Sequence, residues 1–387
     1  MEISMVVSLL CLLAFITYLS VEAFYARSIR EGLKLRIVVT GVRGKSSTTR
    51  LITFALRRTG MRVLGKVTGS KPVLLYPDGE EIAIHRRTKP SVLEQVRVLL
   101  RLAKRLRVTA VVCESMSVKP EILGCEIQNI LKPHIIVITR LTVDHMDDLG
   151  TTIEEVRRNI VSACSTGSTV ISMKGNLDEA SLSILRRKNC TVLEVEPKQY
   201  VSKPTDYFEF EENITLALAV CKTVGIREKD LEEVFLNVRG DIGALRCWKL
   251  PNGVIAINGF AANDPDSTIR IFAKARQFLD SSGLFVKKLV GILNLRSDRV
   301  DRTIQWLKHL RSWFPFDLLY VTGSDSTLFA KRLGNPKCIP RDLERIINDL
   351  DDLESGTVVF GFGNIANAGL RLVNIWQERG TCLRQQS

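Results

Sequence analysis

The chain has 387 residues, 45% of them hydrophobic and 25% charged, and its formal net charge is +13. That length allows two globular domains, or one with an appendage, and the composition excludes extensive disorder. The positive balance asks for an anionic partner, either a membrane surface or an acidic molecule or polymer; nucleic acid is disfavoured, because zinc-finger spacing and a clustered aromatic platform are both missing.

Ile3 to Val21, ISMVVSLLCLLAFITYLSV, carries no charge. As a helix it is long enough to span a bilayer core. Phe24 and Tyr25 follow at interfacial positions, then Arg27, Arg30, Lys34 and Arg36, a basic flank that places the remainder on the cytoplasmic side. A cleaved signal peptide competes with this reading, but such a peptide starts with positive charge and this chain starts Met1-Glu2. The expectation is a single-pass anchor in the cell membrane over residues 1–30, with cytoplasmic catalytic domains.

Residues 35–40, LRIVVT, predict a buried strand that runs into Gly41-Val42-Arg43-Gly44-Lys45-Ser46, and 47–60 predict the next helix, closed by Gly60. Strand, glycine loop and helix form the context that a phosphate loop requires. Gly41 and Gly44 let backbone N–H groups turn toward phosphate, Lys45 reaches the β- and γ-phosphates, and the Ser46 hydroxyl joins a Mg2+ shell. The G-x-x-x-x-G-K-[ST] pattern is incomplete, since Val39 stands at the first glycine position.

Further buried strands are expected at 108–114, 134–139, 168–173 and 190–195, with helices at 91–107 and 153–165, implying a parallel sheet covered by helices. In helix 91–107 one side carries Leu93, Val96, Leu99, Leu100, Ala103 and Leu106. The other carries Arg97, Arg101, Lys104, Arg105 and Arg107, after Arg86, Arg87 and Lys89. A solvated basic face is the ordinary reading; membrane contact or guidance of an acidic substrate are the alternatives. Glu114 closes its strand at the C-terminal edge, where ligands bind in open α/β sheets, and reads as a Mg2+ ligand. Asp144, His145, Asp147 and Asp148 lie close together after the next strand and suit a second Mg2+ or the orientation of one.

The alternation restarts near residue 250, with strands at 253–259, 288–295, 317–323 and 357–363 and helices at 266–279, 303–311, 326–333 and 339–353. A boundary at Asp241-Ile242-Gly243 would separate an ATP-binding central domain, 31–240, from a C-terminal α/β domain, 241–387. Nine cysteines are scattered with no C-x-x-C pair, which suggests reduced thiols.

The motifs VTGVRGKSSTTRLI (39–52), Glu114, ITRLTVDHMDDLG (138–150), NITLALAVCKTVGI (213–226), GALR (243–246), NGFAANDPDS (258–267) and NLRSDRVDR (294–302) stand in the order seen in the Mur-type ATP-dependent amide ligases. This resemblance covers residues 35–370. It implies a P-loop parallel-sheet central domain and a smaller Rossmann-like C-terminal α/β domain, with ATP and Mg2+ as cofactors. The residues it marks as catalytic are Lys45, Glu114, His145 and Arg246, the last reaching the γ-phosphate. Nucleotide contacts fall to Gly41, Arg43, Gly44, Lys45, Ser46, Ser47, Asn213, Arg246 and Asn258, and the metal to Ser46, Glu114 and His145. Asn263, Arg296, Arg299 and Arg302 suit substrate carboxylates, with salt bridges to Asp298 and Asp301 equally open for the arginines.

Two departures stand out. The family's carbamylated lysine, about 15 residues beyond the position of His145, has no counterpart in Arg157-Arg158-Asn159-Ile160. Asn258 stands where the family has an Asp near the nucleoside, and Ala262 replaces its His.

Within that family the anchor, the segments AANDPDST and LRSDR and the terminal GFGNIANAG resemble the membrane-anchored poly-γ-glutamate synthases. The implied reaction activates the γ-carboxylate of glutamate as an acyl phosphate and joins it to a glutamate amine on the growing polymer. Implied partners are glutamate, poly-γ-glutamate, the membrane and further integral-membrane synthase and export subunits; homo-oligomerisation stays open. A UDP-linked substrate is not expected, since forty residues precede Gly41. The alternatives are a folylpolyglutamate-type ligase and a membrane-tethered P-loop transport ATPase.

Overall fold

A computed structural model describes residues 2–69, 71–86, 90–144, 146–197, 207–227, 238 and 240–383. Two compact units divide the chain: Met1–Lys198 with Glu211–Phe235, and Gln199–Phe210 with Leu236–Ser387.

The first unit opens with one continuous helix, α1 (Glu2–Glu31), of 30 residues. Every residue from Ser4 to Val21 is exposed, and the segment is long and apolar enough to cross a membrane. The helix runs on past this apolar segment. Ala26 and Ile29, with Leu33 just beyond it, are buried in the unit's core. Arg30 Nη1 donates to the carbonyls of Asn129 and Ile130 at 3.0 and 2.9 Å.

The sheet elements follow as β1 (Leu35–Thr40), helix α2 (Lys45–Arg58), β2 (Val63–Val67), β3 (Val73–Leu75) and β4 (Glu81–Ala83). Helix α3 is a π-helical segment Gln95–Leu100 continuing as an α-helix Arg101–Arg105, and it leads to β5 (Ala110–Glu114). Helix α4 likewise joins Pro120–Gly124 to a π-helical Cys125–Leu131 before β6 (Ile135–Ile138). Then come α5 (Met146–Leu149), α6 (Ile153–Ser162), β7 (Thr169–Met173), α7 (Glu179–Arg187), β8 (Thr191–Val195) and α8 (Glu211–Thr223).

The strand order is β4-β3-β2-β5-β1-β6-β7-β8, with β2 to β8 parallel and the β3–β4 edge antiparallel. Strands buried on both faces read as unbroken apolar runs, which is why β1, β5, β6 and β7 are visible in the sequence. Strand β2 is not, because its five residues include Gly65 and Lys66. Both are fixed by packing. A Cβ on Gly65 would lie 2.6 Å from Thr53 Oγ1 and 2.9 Å from Leu75 Cδ1, so the close approach of α2 to the sheet requires glycine.

The second unit contains β9 (Cys247–Lys249), β10 (Ile255–Asn258), α9 (Pro265–Ser281), β11 (Lys288–Leu295), α10 (Val300–His309), β12 (Leu318–Gly323), α11 (Ser326–Leu333), β13 (Cys338–Pro340), α12 (Leu343–Asp351), β14 (Thr357–Phe362), α13 (Ala368–Arg379) and β15 (Thr381–Leu383). Its order, β13-β12-β11-β14-β10-β9-β15, is parallel through β10 and antiparallel at the β9–β15 edge. This is a Rossmann-like layering. One expected helix is corrected: 339–353 divides into strand β13 and helix α12. Pro340 cannot extend a helix from behind, and Asp342 caps α12 by accepting from the Arg345 N–H at 2.9 Å.

Aromatic rings fill this second core. Trp376 is fully buried, 5.8 Å from the Phe260 ring and 6.4 Å from Trp248. A Cβ on Gly361 would run into the Phe260 ring, and one on Gly259 would lie 2.7 Å from Phe360 Cζ, so both glycines make room for rings. All nine cysteines are free thiols.

All four tryptophans, at 248, 306, 313 and 376, lie in the second unit, so tryptophan fluorescence reports that unit alone. Trp376→Ala should lower its stability by about 3–5 kcal/mol through cavity formation. Denaturant unfolding followed by the remaining three tryptophans checks this; an unchanged midpoint would mean the site collapses without cost.

Candidate active site

Parallel pairing sets β1 between β5 and β6, so the loops leaving all three strands emerge at one sheet edge. The loop after β1 turns through Gly41 (φ 121°) and Gly44 (φ 91°), backbone angles that only glycine adopts readily. Both glycines also meet a neighbour. A Cβ on Gly41 would lie 2.5 Å from Thr139 Oγ1, and one on Gly44 would collide with Asn213 Oδ1 from α8. Asn213 Oδ1 in turn accepts from Thr48 Oγ1 at 3.3 Å. Asn213 therefore stands against the Gly41–Ser46 loop.

The loop is stitched to the segment after β6. The amides of Val42 and Arg43 both donate to the Arg140 carbonyl at 3.1 Å, and Arg43 Nη2 lies 2.9 Å from Asp144 Oδ2. Lys45 Nζ donates back to the carbonyls of Gly41 and Val42 at 2.9 and 3.4 Å. Burial pulls the Lys45 ammonium below its ordinary pKa, against the opposing pull of the Glu114 carboxylate. Ser47 lies one residue further into α2, half-buried at its first turn.

Ser46 Oγ donates to Glu114 Oε2 at 2.9 Å, and the Thr68 amide donates to the same oxygen at 2.7 Å. Glu114 is 3% exposed. A hydroxyl and a buried carboxylate at a helix N-terminus form a hard-oxygen pair that fits a Mg2+-type cation completing its shell with phosphates and water. His145 lies outside the described residues, as do Arg87 and Lys89. Among the described residues no group of three His, Cys, Asp or Glu forms a metal cluster. Where the family's lysine would fall, Arg157 Nε donates to the Asn176 carbonyl and Asn159 Nδ2 to the Leu149 carbonyl.

Several residues that position the site carry no motif. Lys66 Nζ, fully buried, sits 2.7 Å from Glu94 Oε1 and 2.9 Å from Gln95 Oε1. Gln95 Nε2 donates to Glu126 Oε1 at 2.6 Å, and Glu126 accepts from the amides of Met116 and Ser117, just past Glu114. Burial opposes ionisation of Glu94, but hydrogen bonds from Arg86 and Lys66 outweigh it and hold the carboxyl below its usual range. The one sequence signal was a lysine inside an apolar run; its partners lie far along the chain.

In the second unit, Arg246 donates to the carbonyls of Asp241 and Gly240 at 2.7 and 3.0 Å and lies over the Tyr207 ring. Asn258 is fully buried. Its Nδ2 donates to the carbonyls of Ile242 and Ala244, and its Oδ1 accepts from the Phe260 amide. Its observed work is to hold the turn that carries Arg246. Asn263, Arg296, Arg299 and Arg302 line one small cavity with Asn294 and Asn364. Arg296 chelates Asp298, Arg299 lies 3.3 Å from Asp301, and Arg302 Nη1 donates to Gln305 at 2.9 Å. The hydrogen bond from Arg296 is the main cause that lowers the Asp298 pKa.

The Mur ligase middle domain matches residues 39–240, and the poly-gamma-glutamate synthase CapB C-terminal domain matches 249–379. The capsule biosynthesis protein CapB of Bacillus anthracis is 27% identical over 90% of this chain and 77% of its own length. The PGA synthase CapB of Bacillus subtilis (strain 168) is 29% identical over 89% of this chain and 90% of its own. Among solved structures, the bifunctional folylpolyglutamate synthase/dihydrofolate synthase of Yersinia pestis, complexed with AMPPNP and a Mn ion, superposes with a TM-score of 0.69. It is 14% identical and covers 91% of this chain and 92% of that one, a likeness of fold. With its phosphate loop, Ser46–Glu114 pair and α8 asparagine inside the matched middle domain, this chain belongs to the Mur ligase family.

Proposed function

We infer that the chain is an ATP-dependent amide ligase that makes poly-γ-glutamate. The observation that carries this is the order of its two halves: a Mur ligase middle domain is followed by a domain of the poly-γ-glutamate synthase type. A carboxylate and an amine do not condense usefully in water, because oxide is a very poor leaving group. In the proposed reaction the γ-carboxylate of glutamate attacks the γ-phosphorus of ATP, forming an acyl phosphate and releasing ADP. The amine of a second glutamate then attacks the acyl carbon, loses its proton, and phosphate leaves.

The residues of this chain contribute charge and position. Backbone amides at the start of α2 would face the phosphates, those of Val42 and Arg43 being held by the Arg140 carbonyl, and Lys45 would move from loop carbonyls to the β- and γ-phosphates. Ser46 and Glu114 would hold a divalent cation, Mg2+ in this reading, which when bound neutralises charge on the phosphate oxygens. His145 joins that set by sequence resemblance, and the assignment of Arg246 to the γ-phosphate rests on its motif. Substrate carboxylates are assigned to the cavity of Asn263, Arg296, Arg299 and Arg302, where Asp298 and Asp301 already hold two guanidinium groups that an incoming carboxylate would share.

Helix α1 supports residence in the membrane, and its basic flank, Arg27, Arg30, Lys34 and Arg36, supports a cytoplasmic catalytic portion. A growing polyanion needs a route outward, so integral-membrane export subunits are the proposed partners. The relation in fold to folylpolyglutamate synthases keeps one second reading in view. Dependence of turnover on added folate would select it.

Membranes containing the full chain, given ATP, Mg2+, glutamate and hydroxylamine, should yield ADP together with γ-glutamyl hydroxamate. Lys45→Ala should reduce both by about 100-fold or more. ADP release without hydroxamate or polymer, with membrane partners present, would instead mark a transport ATPase.

Glu114→Gln keeps an acceptor for the Thr68 amide but removes the charge. It should weaken metal affinity in the presence of AMPPNP by at least about tenfold, read by Mn2+ titration. Unchanged affinity would remove Glu114 from the metal set.

A further inference from the structure

The basic face of helix α3 has a fixed height relative to the membrane. Residues Ser4–Val21 of α1 are exposed throughout and measure about 27 Å along the helix, close to the thickness of a hydrocarbon core. The helix does not break where this segment ends. Ala26 and Ile29, and Leu33 beyond the helix, pack in one core with Val96, Leu99, Leu100 and Ala103 of α3. No flexible linker separates the span from the folded unit, so α3 cannot drift away from the bilayer.

Two contacts set its level. Glu22, the first charged residue after the apolar segment, lies 3.5 Å from Arg97 of α3. Lys104 of α3 sits 4.6 Å from the ring centre of Tyr25. Residues 22–25 rise about 5 Å along the helix axis, and a headgroup layer is roughly 5–8 Å thick on each side of the bilayer. Phe24, 74% exposed at the same level, is placed as an interfacial ring. Between these contacts α3 exposes Arg101 and just past them Arg105, and Arg107 follows it. None of the ion pairs among the described residues involves these three. Solvated arginines without acidic partners, held at headgroup height, match phosphate esters, which a guanidinium binds through two parallel N–H bonds.

We propose that the exposed face of α3 is a binding surface for anionic phospholipid headgroups, so that the nucleotide-binding unit is held to the bilayer by its span and by this face together. The proposal rests on α1 as a membrane span and is independent of the ligase chemistry. It uses none of the residues assigned to catalysis.

The test uses the full chain in a neutral detergent, titrated with phosphatidylglycerol or phosphatidylcholine, with bound lipids counted by native mass spectrometry. Phosphatidylglycerol should be preferred by about tenfold or more, as expected for several basic side chains at an anionic surface. Arg101→Gln with Arg105→Gln should remove most of that preference, and the Lys pair at the same positions should largely keep it. Both side chains are exposed, and Arg97 and Lys104, which touch α1, stay in place. Lys331→Gln with Arg332→Gln, neutralising exposed charge in the second unit, should leave the preference unchanged. Equal binding of the two lipids, or an equal loss in the Lys331/Arg332 control, would overturn the proposal. Displacement of the bound lipid by soluble poly-γ-glutamate would overturn it too, assigning the face to the acidic polymer. Extraction of the full chain from vesicles by alkaline carbonate would remove the span, and the proposal with it, while hydroxamate formation would still report the ligase reading separately.

Discussion

Parallel pairing of β1 between β5 and β6 is the constraint on which the candidate site depends. Chain ends of three adjacent parallel strands must leave the sheet on one edge, and here they carry the glycine loop, Glu114 and the Arg140–Asp144 segment. The loop's backbone cannot relax away from that convergence. Gly41 is pressed by Thr139 and Gly44 by Asn213, while two amides of the loop share the Arg140 carbonyl. The shape of the loop is thus fixed before any ligand arrives. The binding energy of a nucleotide then goes to positioning, with little spent on ordering the loop.

The second support is polar and buried. Lys66, Gln95 and Glu126 form a hydrogen-bonded chain that begins in β2, passes through the first residue of α3 and ends on the amides that follow Glu114. A lone ammonium or carboxylate at this depth would cost several kcal/mol, so each member is tolerated only because the others are present. The π-helical start of α3 lies where this chain crosses the helix, a placement often found at functional positions. The same helix carries the contacts to α1 on its other side. One element therefore joins the apolar N-terminal helix to the neighbourhood of Glu114.

Much of the fold was legible in the sequence where one physical signal dominated. Strands buried on both faces read as apolar runs, and α9 was expected at 266–279; the structure extends it back to Pro265, with Asp264 as its cap. Elements governed by tertiary contact were hidden. Strand β2 contains a glycine and a lysine that make sense only beside α2 and Glu94. The strands β3, β4, β9, β13 and β15 have three residues each, too few to establish a period. For the site, Gly41, Gly44, Lys45, Ser46 and Glu114 fall together as their motif requires, and Asn213 joins them from a distant helix. Thr68, Gln95 and Glu126 had no local signature, because what they do depends on partners tens of residues away. Asn258 was legible as a motif position but not in its observed role, since the turn that its amide holds becomes visible only once the chain is folded.

The unbroken course of α1 has a mechanical consequence. A helix of 30 residues is stiff over its length, and its last turns are packed into the core of the nucleotide-binding unit. Transmembrane helices accommodate a bilayer thinner or thicker than their apolar length by tilting. On the proposal that α1 spans the membrane, a tilt of its apolar portion is transmitted as a rotation of the whole unit, as a lever turns the load at its far end. Bilayer thickness would then set the angle at which the Gly41–Ser46 loop meets the membrane plane.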